Sequence, residues 1–165
     1  MENLIKKAKK GDEEAFFKLI EINKNSLYKA GKSILNNDED VADAIQETVI
    51  SAYRNIKSLK DNSYFKTWLT KILINKCKDI ISKNKDTILL NEYVEEGYIQ
   101  EFLNKFEIED MLSKLSKEQK LVVSLYYISQ FSTREISEIL KEPEGTIKSR
   151  ISRAKRKLRE NFAMR

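Results

Sequence analysis

Seven of the fourteen residues at 146–159 (TIKSRISRAKRKLR) are Lys or Arg, and none is acidic. Cations at that density neutralise phosphates and donate to base edges. The only apolar residues there are Ile147, Ile151, Ala154 and Leu158. At about 100° per residue they share a stripe roughly 60° wide, which predicts a helix with one narrow side on a small core. Opposite that stripe lie Lys148, Ser149, Ser152, Arg153 and Arg156. The two small hydroxyl side chains let a partner approach the backbone while the long cations reach outward. Arg150, Lys155, Lys157 and Arg159 flank this face, placed to meet two phosphate backbones. A helix in a major groove needs this distribution. The competing reading is a solvated basic helix, but such helices interleave Glu for i,i+4 pairing and this segment contains none.

Other chemistry is scarce. The chain has no histidine, which excludes Ser-His-Asp triads, Cys-His pairs and most catalytic zinc sites, and it has no Gly-rich phosphate loop. The one cysteine, Cys77, rules out an internal disulfide and sits among apolar neighbours as a small core residue. No enzymatic activity, metal site or cofactor is expected. Two further constellations have binding chemistry. Asp40, Asp43 and Glu47 make an acidic stripe at i, i+3 and i+7 on one helix, and Tyr64 stands at a loop edge beside lysines, where a ring can stack on an unpaired base.

The elements that must position these groups read as helices. Four Gly and one Pro among many Lys, Glu, Leu and Ile predict an all-α chain without strands. Residues 8–31 read as a helix or helix pair with Asp12 as a cap and Ala15, Phe16, Leu19, Ile20, Leu27 and Ala30 inward. Asn36-Asn37-Asp38 marks a turn. A long helix follows over 40–56, with Val41, Ile45, Thr48 or Val49, Ala52 and Ile56 inward. Asp61-Asn62-Ser63 closes a polar loop, and 64–82 form another helix. Its apolar face is Phe65, Trp68, Leu69, Ile72, Leu73, Cys77, Ile80 and Ile81, and its lysines 66, 71, 76, 78, 83 and 85 make the exposed side cationic. Phe65 and Trp68 fall at core spacing and read as packing residues.

Residues 87–107 read as an acidic linker. Residues 1–90 carry 17 basic and 13 acidic groups, 91–107 carry 1 and 5, and 108–165 carry 13 and 8, so an acidic segment divides two basic ones. The expected organisation is two small helical domains, 1–86 and 108–165. The second opens with a short helix through Met111, Leu112 and Leu115. Ser116-Lys117-Glu118-Gln119 has the form of a capping box opening a helix with Leu121, Val122, Leu125, Tyr126 and Ile128 inward. Ser132-Thr133-Arg134-Glu135 is a second capping box, opening a short helix with Ile136, Ile139 and Leu140 inward. Lys141-Glu142-Pro143-Glu144-Gly145 breaks that helix, and the basic one begins either with Pro143 in its first turn or with Thr146 as its cap. Together these two helices make a helix-turn-helix. The net charge of +5 fits a polyanion partner; without an apolar leader or an 18-residue apolar run, no membrane insertion is expected and the cytoplasm is the expected compartment.

Four motifs in this order resemble the bacterial RNA polymerase sigma factors of the extracytoplasmic-function (ECF) type, over nearly the whole chain. Lys10-Gly11-Asp12-Glu13-Glu14-Ala15-Phe16 is similar to the family's KGDExAF. Asp38-Glu39-Asp40 with Asp43-Ala44-Ile45-Gln46-Glu47-Thr48 is similar to EDxxQExF, with Val49 or Ile50 where a Phe is usual. Phe65-Lys66-Thr67-Trp68-Leu69 with Ile74-Asn75 is similar to FxTWLxxIxxN, and 132–158 to LSYEEIAxxLxxPxGTVKSRLxRARxxL. The resemblance implies an alternative sigma factor: a dissociable subunit that binds core polymerase and directs it to a set of promoters. By the family's pattern, residues 10–85 bind core and melt the minus-ten element, and 108–162 read the duplex minus-thirty-five element. Asp40, Asp43, Gln46 and Glu47 would dock on a coiled coil of the large polymerase subunit. Asn75 and the loop 58–64 with Tyr64 would capture a flipped base of the non-template strand. Lys148, Ser149, Ser152 and Arg153 match positions that contact the upstream element, with Arg150 and Arg156 beside them. The linker would run through the polymerase, and an anti-sigma factor is an implied partner. The rival readings are a helix-turn-helix regulator that binds duplex DNA by itself and a polymerase-binding adaptor that reads no promoter.

Overall fold

The computed structural model describes residues 1–87 and 115–163, and within them every regular element is a helix or helical turn. The expected linker and the short helix through Met111 and Leu112 lie outside the described residues; Leu115 is described and buried.

The N-terminal half begins with α1 (Glu2–Lys9) and α2 (Glu13–Lys32), a pair whose first member starts six residues ahead of the expected boundary. The Lys-Gly-Asp motif is the corner between them. Gly11 has φ +97°, a left-handed conformation that glycine adopts without a Cβ clash. Asp12 then accepts from the Ala15 amide at 2.9 Å as the cap of α2. Asn37 caps α3 (Asp38–Asn55) through the Asp40 amide, so the helix opens two residues before the apolar periodicity does. Two 3-10 turns follow, Ile56–Ser58 and Asn62–Tyr64, and then α4 (Phe65–Thr87).

Phe16, Leu19, Leu27, Val41, Ala44, Leu69, Leu73 and Cys77 are essentially fully buried where α2, α3 and α4 meet. Ile20 and Trp68 pack at the margin of this core, half-buried. The helices approach closely at Gly31, where an added Cβ would stand 3.1 Å from Val41 Cγ1. Burial pushes the Cys77 thiol up to about 12, as expected of an inert core cysteine. Ile74, Thr67 and Thr70 are buried too, although the periodicity had not placed them inward.

The C-terminal half contains α5 (Lys117–Val123), a π turn (Ser124–Ile128), α6 (Thr133–Leu140) and α7 (Glu144–Ala163). Both capping boxes form as expected, at Ser116 with Gln119 and at Ser132 with Glu135. Burial of the half-buried Glu135 raises its carboxyl pKa, but hydrogen bonds from Ser132 and Thr67 and the charge of Lys66 outweigh that and hold it below its ordinary value. The π turn corrects one expectation. Tyr126 and Ile128 were placed inward, yet they are 38% and 44% exposed. The wider i→i+5 turn, closed by the Ser129 amide on the Ser124 carbonyl at 3.0 Å, advances the register by one residue. Leu125 is buried as expected, and Ser124, Ser129 and Phe131 take the remaining inner positions.

The two halves are in contact. Ser26 Oγ and Ser129 Oγ are 3.0 Å apart, Ser124 Oγ donates to the Lys29 carbonyl at 3.4 Å, and Thr67 Oγ1 donates to Glu135 at 3.4 Å. Lys66 donates to the Ser129 carbonyl and lies 4.8 Å from the centroid of the Phe131 ring. Lys66 was expected on an open cationic face; it is instead half-buried at this seam. Among the described residues no buried side-chain nitrogen or oxygen lacks a hydrogen-bond partner.

Candidate nucleic-acid and polymerase interfaces

The basic segment is helical throughout, and its narrow apolar stripe seats it. Ile147, Ile151 and Ala154 are buried, and Leu158 packs at the edge. Pro143 stands just before the first turn, its carbonyl accepting from the Thr146 and Ile147 amides at 2.9 and 3.2 Å. Thr146 therefore lies inside the helix and is not its cap. α6 and α7 are tied at their starts by Thr133 Oγ1, which donates to Glu144 at 2.6 Å. That bond, and the Lys148 ammonium at 3.0 Å, hold the Glu144 carboxyl below its ordinary range.

Lys148, Ser149, Ser152, Arg153 and Arg156 are all exposed on one side of α7, as the helical geometry requires. The absence of internal Glu did not leave the helix unpaired. Glu144 and Glu160, just beyond the basic run, pair with Lys148 at 3.0 Å and Arg156 at 3.9 Å. Arg150 is half-buried and bridges to Glu142 at 2.8 Å, bracing the turn between α6 and α7. Arg153 has no acidic partner among the described residues, so its guanidinium fork is available for bidentate donation.

The acidic stripe lies along the outer side of α3. Asp43, Gln46 and Glu47 are exposed and Asp40 is half-buried, hydrogen-bonded to the Asn37 amide nitrogen at 2.9 Å. Together with Lys76, Asp79 and Lys83 of α4 these four line a cleft of about 460 Å³. The exposed Glu47 reaches the half-buried Lys76 at 3.4 Å, a partly solvated bridge worth little to the stability of the fold.

Tyr64, 43% exposed, ends the second 3-10 turn, and Asn75 is exposed on α4. Tyr64 precedes α4 and Asn75 stands about three turns into it, on the order of 15 Å along the axis, so the two side chains do not meet. Phe65 is buried and Trp68 half-buried, their rings 5.9 Å apart, which makes them packing residues. Sequence reasoning missed what orders the loop before Tyr64. Lys9 of α1 donates to the Leu59 carbonyl and to Asn62 Oδ1, each at 2.5 Å, across about fifty residues of chain. Only its position directly before the Lys10-Gly11-Asp12 corner could have drawn attention to it.

Family models agree with this layout. Residues 19–87 match sigma-70 region 2 and residues 105–158 match sigma-70 region 4. The chain is 34% identical to the ECF RNA polymerase sigma factor SigW of Bacillus subtilis, covering 96% of this chain and 94% of that protein. It is 27% identical to the sigma-E factor of Escherichia coli K12, over 92% and 88% of the two chains. Among solved structures it superposes on RpoE of Bartonella quintana, in complex with the anti-sigma factor NepR, with a TM-score of 0.74 and 25% identity over 90% and 96% of the chains. CnrH, in complex with the cytosolic domain of CnrY, shares the fold at a TM-score of 0.73 over 99% and 97% of the chains. An acidic face on α3 and a basic face on α7 in one helical chain, matched over most of its length by these relatives, place this protein in the ECF family of RNA polymerase sigma factors.

Proposed function

We propose that this sigma factor directs core polymerase to its promoters through three separate surfaces. The acidic stripe of α3 docks on the polymerase, with Asp40, Asp43, Gln46 and Glu47 meeting a basic partner surface. The loop 58–64 with Tyr64 receives a base unstacked from the non-template strand of the minus-ten element, and Asn75, farther along α4, meets a neighbouring nucleotide of the same strand. The outer face of α7, centred on Ser149, Ser152 and Arg153, reads the duplex minus-thirty-five element, while Lys148 and Arg156 meet phosphates and Arg150, held by Glu142, braces the turn behind them. Chemistry belongs to the polymerase; this chain supplies register and strand capture.

The observation that supports this most is the separation of an acidic face on α3 from a basic face on α7 within one chain. A regulator acting by itself on duplex DNA has use for the second face and none for the first. An anti-sigma factor is proposed as a further partner, since the RpoE relative is held by one. The cytoplasm, where polymerase works, is the proposed compartment; no helix among the described residues is long and apolar enough to cross a membrane. The test is association with purified core polymerase, followed by binding to duplex DNA with and without core. Tight association with core and promoter-specific binding only in its presence are expected. Specific duplex binding by the free chain with no affinity for core would replace this reading with the regulator.

A further inference from the structure

We propose that Lys9 is a positioning residue for the base-receiving loop, a side chain from α1 that ties its two turns to each other. This rests on the assignment of loop 58–64 to base capture. Each turn is internally hydrogen-bonded. Ile56–Ser58 closes through the Leu59 amide on the Ile56 carbonyl at 3.2 Å, and Asn62–Tyr64 closes through the Tyr64 amide on the Asp61 carbonyl at 3.2 Å. Asp61 further accepts from the Ser63 amide at 2.9 Å and the Ser63 hydroxyl at 2.7 Å, bonds that hold its carboxyl below the ordinary range. Neither set of bonds crosses the junction at Lys60. Lys9 does, donating to the Leu59 carbonyl on one side and to Asn62 Oδ1 on the other, each at 2.5 Å.

Lys9 differs from its neighbours. Lys6, Lys7 and Lys10 are exposed, whereas Lys9 is half-buried, its stem laid along the cleft of about 680 Å³ between α1 and the loop. Its ammonium has three donors, and two are used on the loop. Leu59, 6% exposed, seats the first turn on the core, so that turn has an anchor of its own. The second turn presents Ser63 and Tyr64 outward and turns Asn62 inward to Lys9; its far end runs into α4 at the buried Phe65, whose amide donates to the Asn62 carbonyl, and Lys9 holds its near end against the first turn. Loss of the tie leaves the residues present and lets their angle drift, which weakens a stacking contact while leaving phosphate attraction nearly untouched.

The experiment compares holoenzymes carrying wild-type chain, Lys9→Met and Lys9→Arg. Initiation is measured at a promoter whose non-template minus-ten bases are replaced one at a time by abasic sites. Methionine keeps the stem and removes the donors; arginine keeps donors. Lys9→Met is expected to lose about tenfold of the preference for the intact base at one position, the size of a partly lost stack. Affinity for core and dependence on the minus-thirty-five element should not change, and Lys9→Arg should recover most of the preference. Asn62→Ala, which removes one acceptor from the loop, should show the same single-position loss and serves if Lys9→Met folds poorly. Wild-type discrimination in Lys9→Met overturns the proposal, as does an equal loss at every position, which would make Lys9 a phosphate contact. Tyr64→Ala and Asn75→Ala separate the two levels. If they lose discrimination while Lys9→Met keeps it, only the positioning role fails; if they too discriminate like wild type, base capture by this loop fails with it.

Discussion

At the scale of single residues, the two faces differ in what a substitution should do. Arg153 is exposed, has no acidic partner among the described residues, and lies opposite Ile147, Ile151 and Ala154. Arg153→Ala should therefore leave folding and core association intact and weaken initiation at matched minus-thirty-five elements by about 1–3 kcal/mol. Transcription from matched and scrambled upstream elements checks this; an equal loss on both would make Arg153 a phosphate contact. Reversing charge on α3, as Asp43→Lys with Glu47→Lys, should reduce affinity for core at least tenfold at moderate salt, an effect shrinking as ionic strength rises. Titration of labelled chain into core polymerase measures it. Arg150 and Lys148 are poorer probes, because each already holds a glutamate and its removal would disturb the turn or the start of α7.

Elements were legible where local rules governed them. Both capping boxes, the Asp12 cap and the stripe of Ile147, Ile151, Ala154 and Leu158 follow from spacing alone and hold in the structure. The register of Tyr126 and Ile128 was not legible, since nothing in the residue types of 124–128 marks a turn with i→i+5 closure. The inner position of Thr67 was hidden because its partner, Glu135, belongs to the other half of the chain. The turn inside the helix-turn-helix also departs from the usual chemistry. Lys141 caps α6 at φ 57° and ψ 41°, a left-handed conformation more often given to glycine. Its side chain is exposed and takes no part in the described ion pairs. Lys141→Gly should stabilise the C-terminal half by about 0.5–1 kcal/mol, the relief of Cβ strain offset in part by greater freedom of the unfolded chain. Thermal melting of the two proteins checks the sign; a lower midpoint for the glycine variant would show that the strain is absent.

For the whole molecule, two helical halves could be read in the sequence, whereas the contact between them could not. Seam residues such as Ser26, Ser129 and Lys66 are polar and carry no periodic signal of burial against a distant partner. The contact has a consequence for promoter binding. Elements named for minus ten and minus thirty-five lie roughly 25 base pairs apart, or on the order of 85 Å at about 3.4 Å per pair. Halves joined by a 3.0 Å hydrogen bond between Ser26 and Ser129 cannot occupy both. The seam is therefore expected to open on core polymerase. Fluorophores on cysteines introduced at the exposed Asn25 and Tyr127 should show high energy transfer in the free chain and a large drop in holoenzyme. The buried native Cys77 should stay unlabelled. Transfer that stays high in an actively initiating complex would mean that the two halves do not reach separate elements.

The most direct test of the account is a map of transcript start sites made with purified core polymerase on genomic fragments, with and without this chain. New starts are expected, each preceded by the same pair of short sequences at a fixed spacing, and the upstream one should lose its influence when Arg153 is replaced. An unchanged set of starts, or new starts sharing only one such sequence, would contradict it.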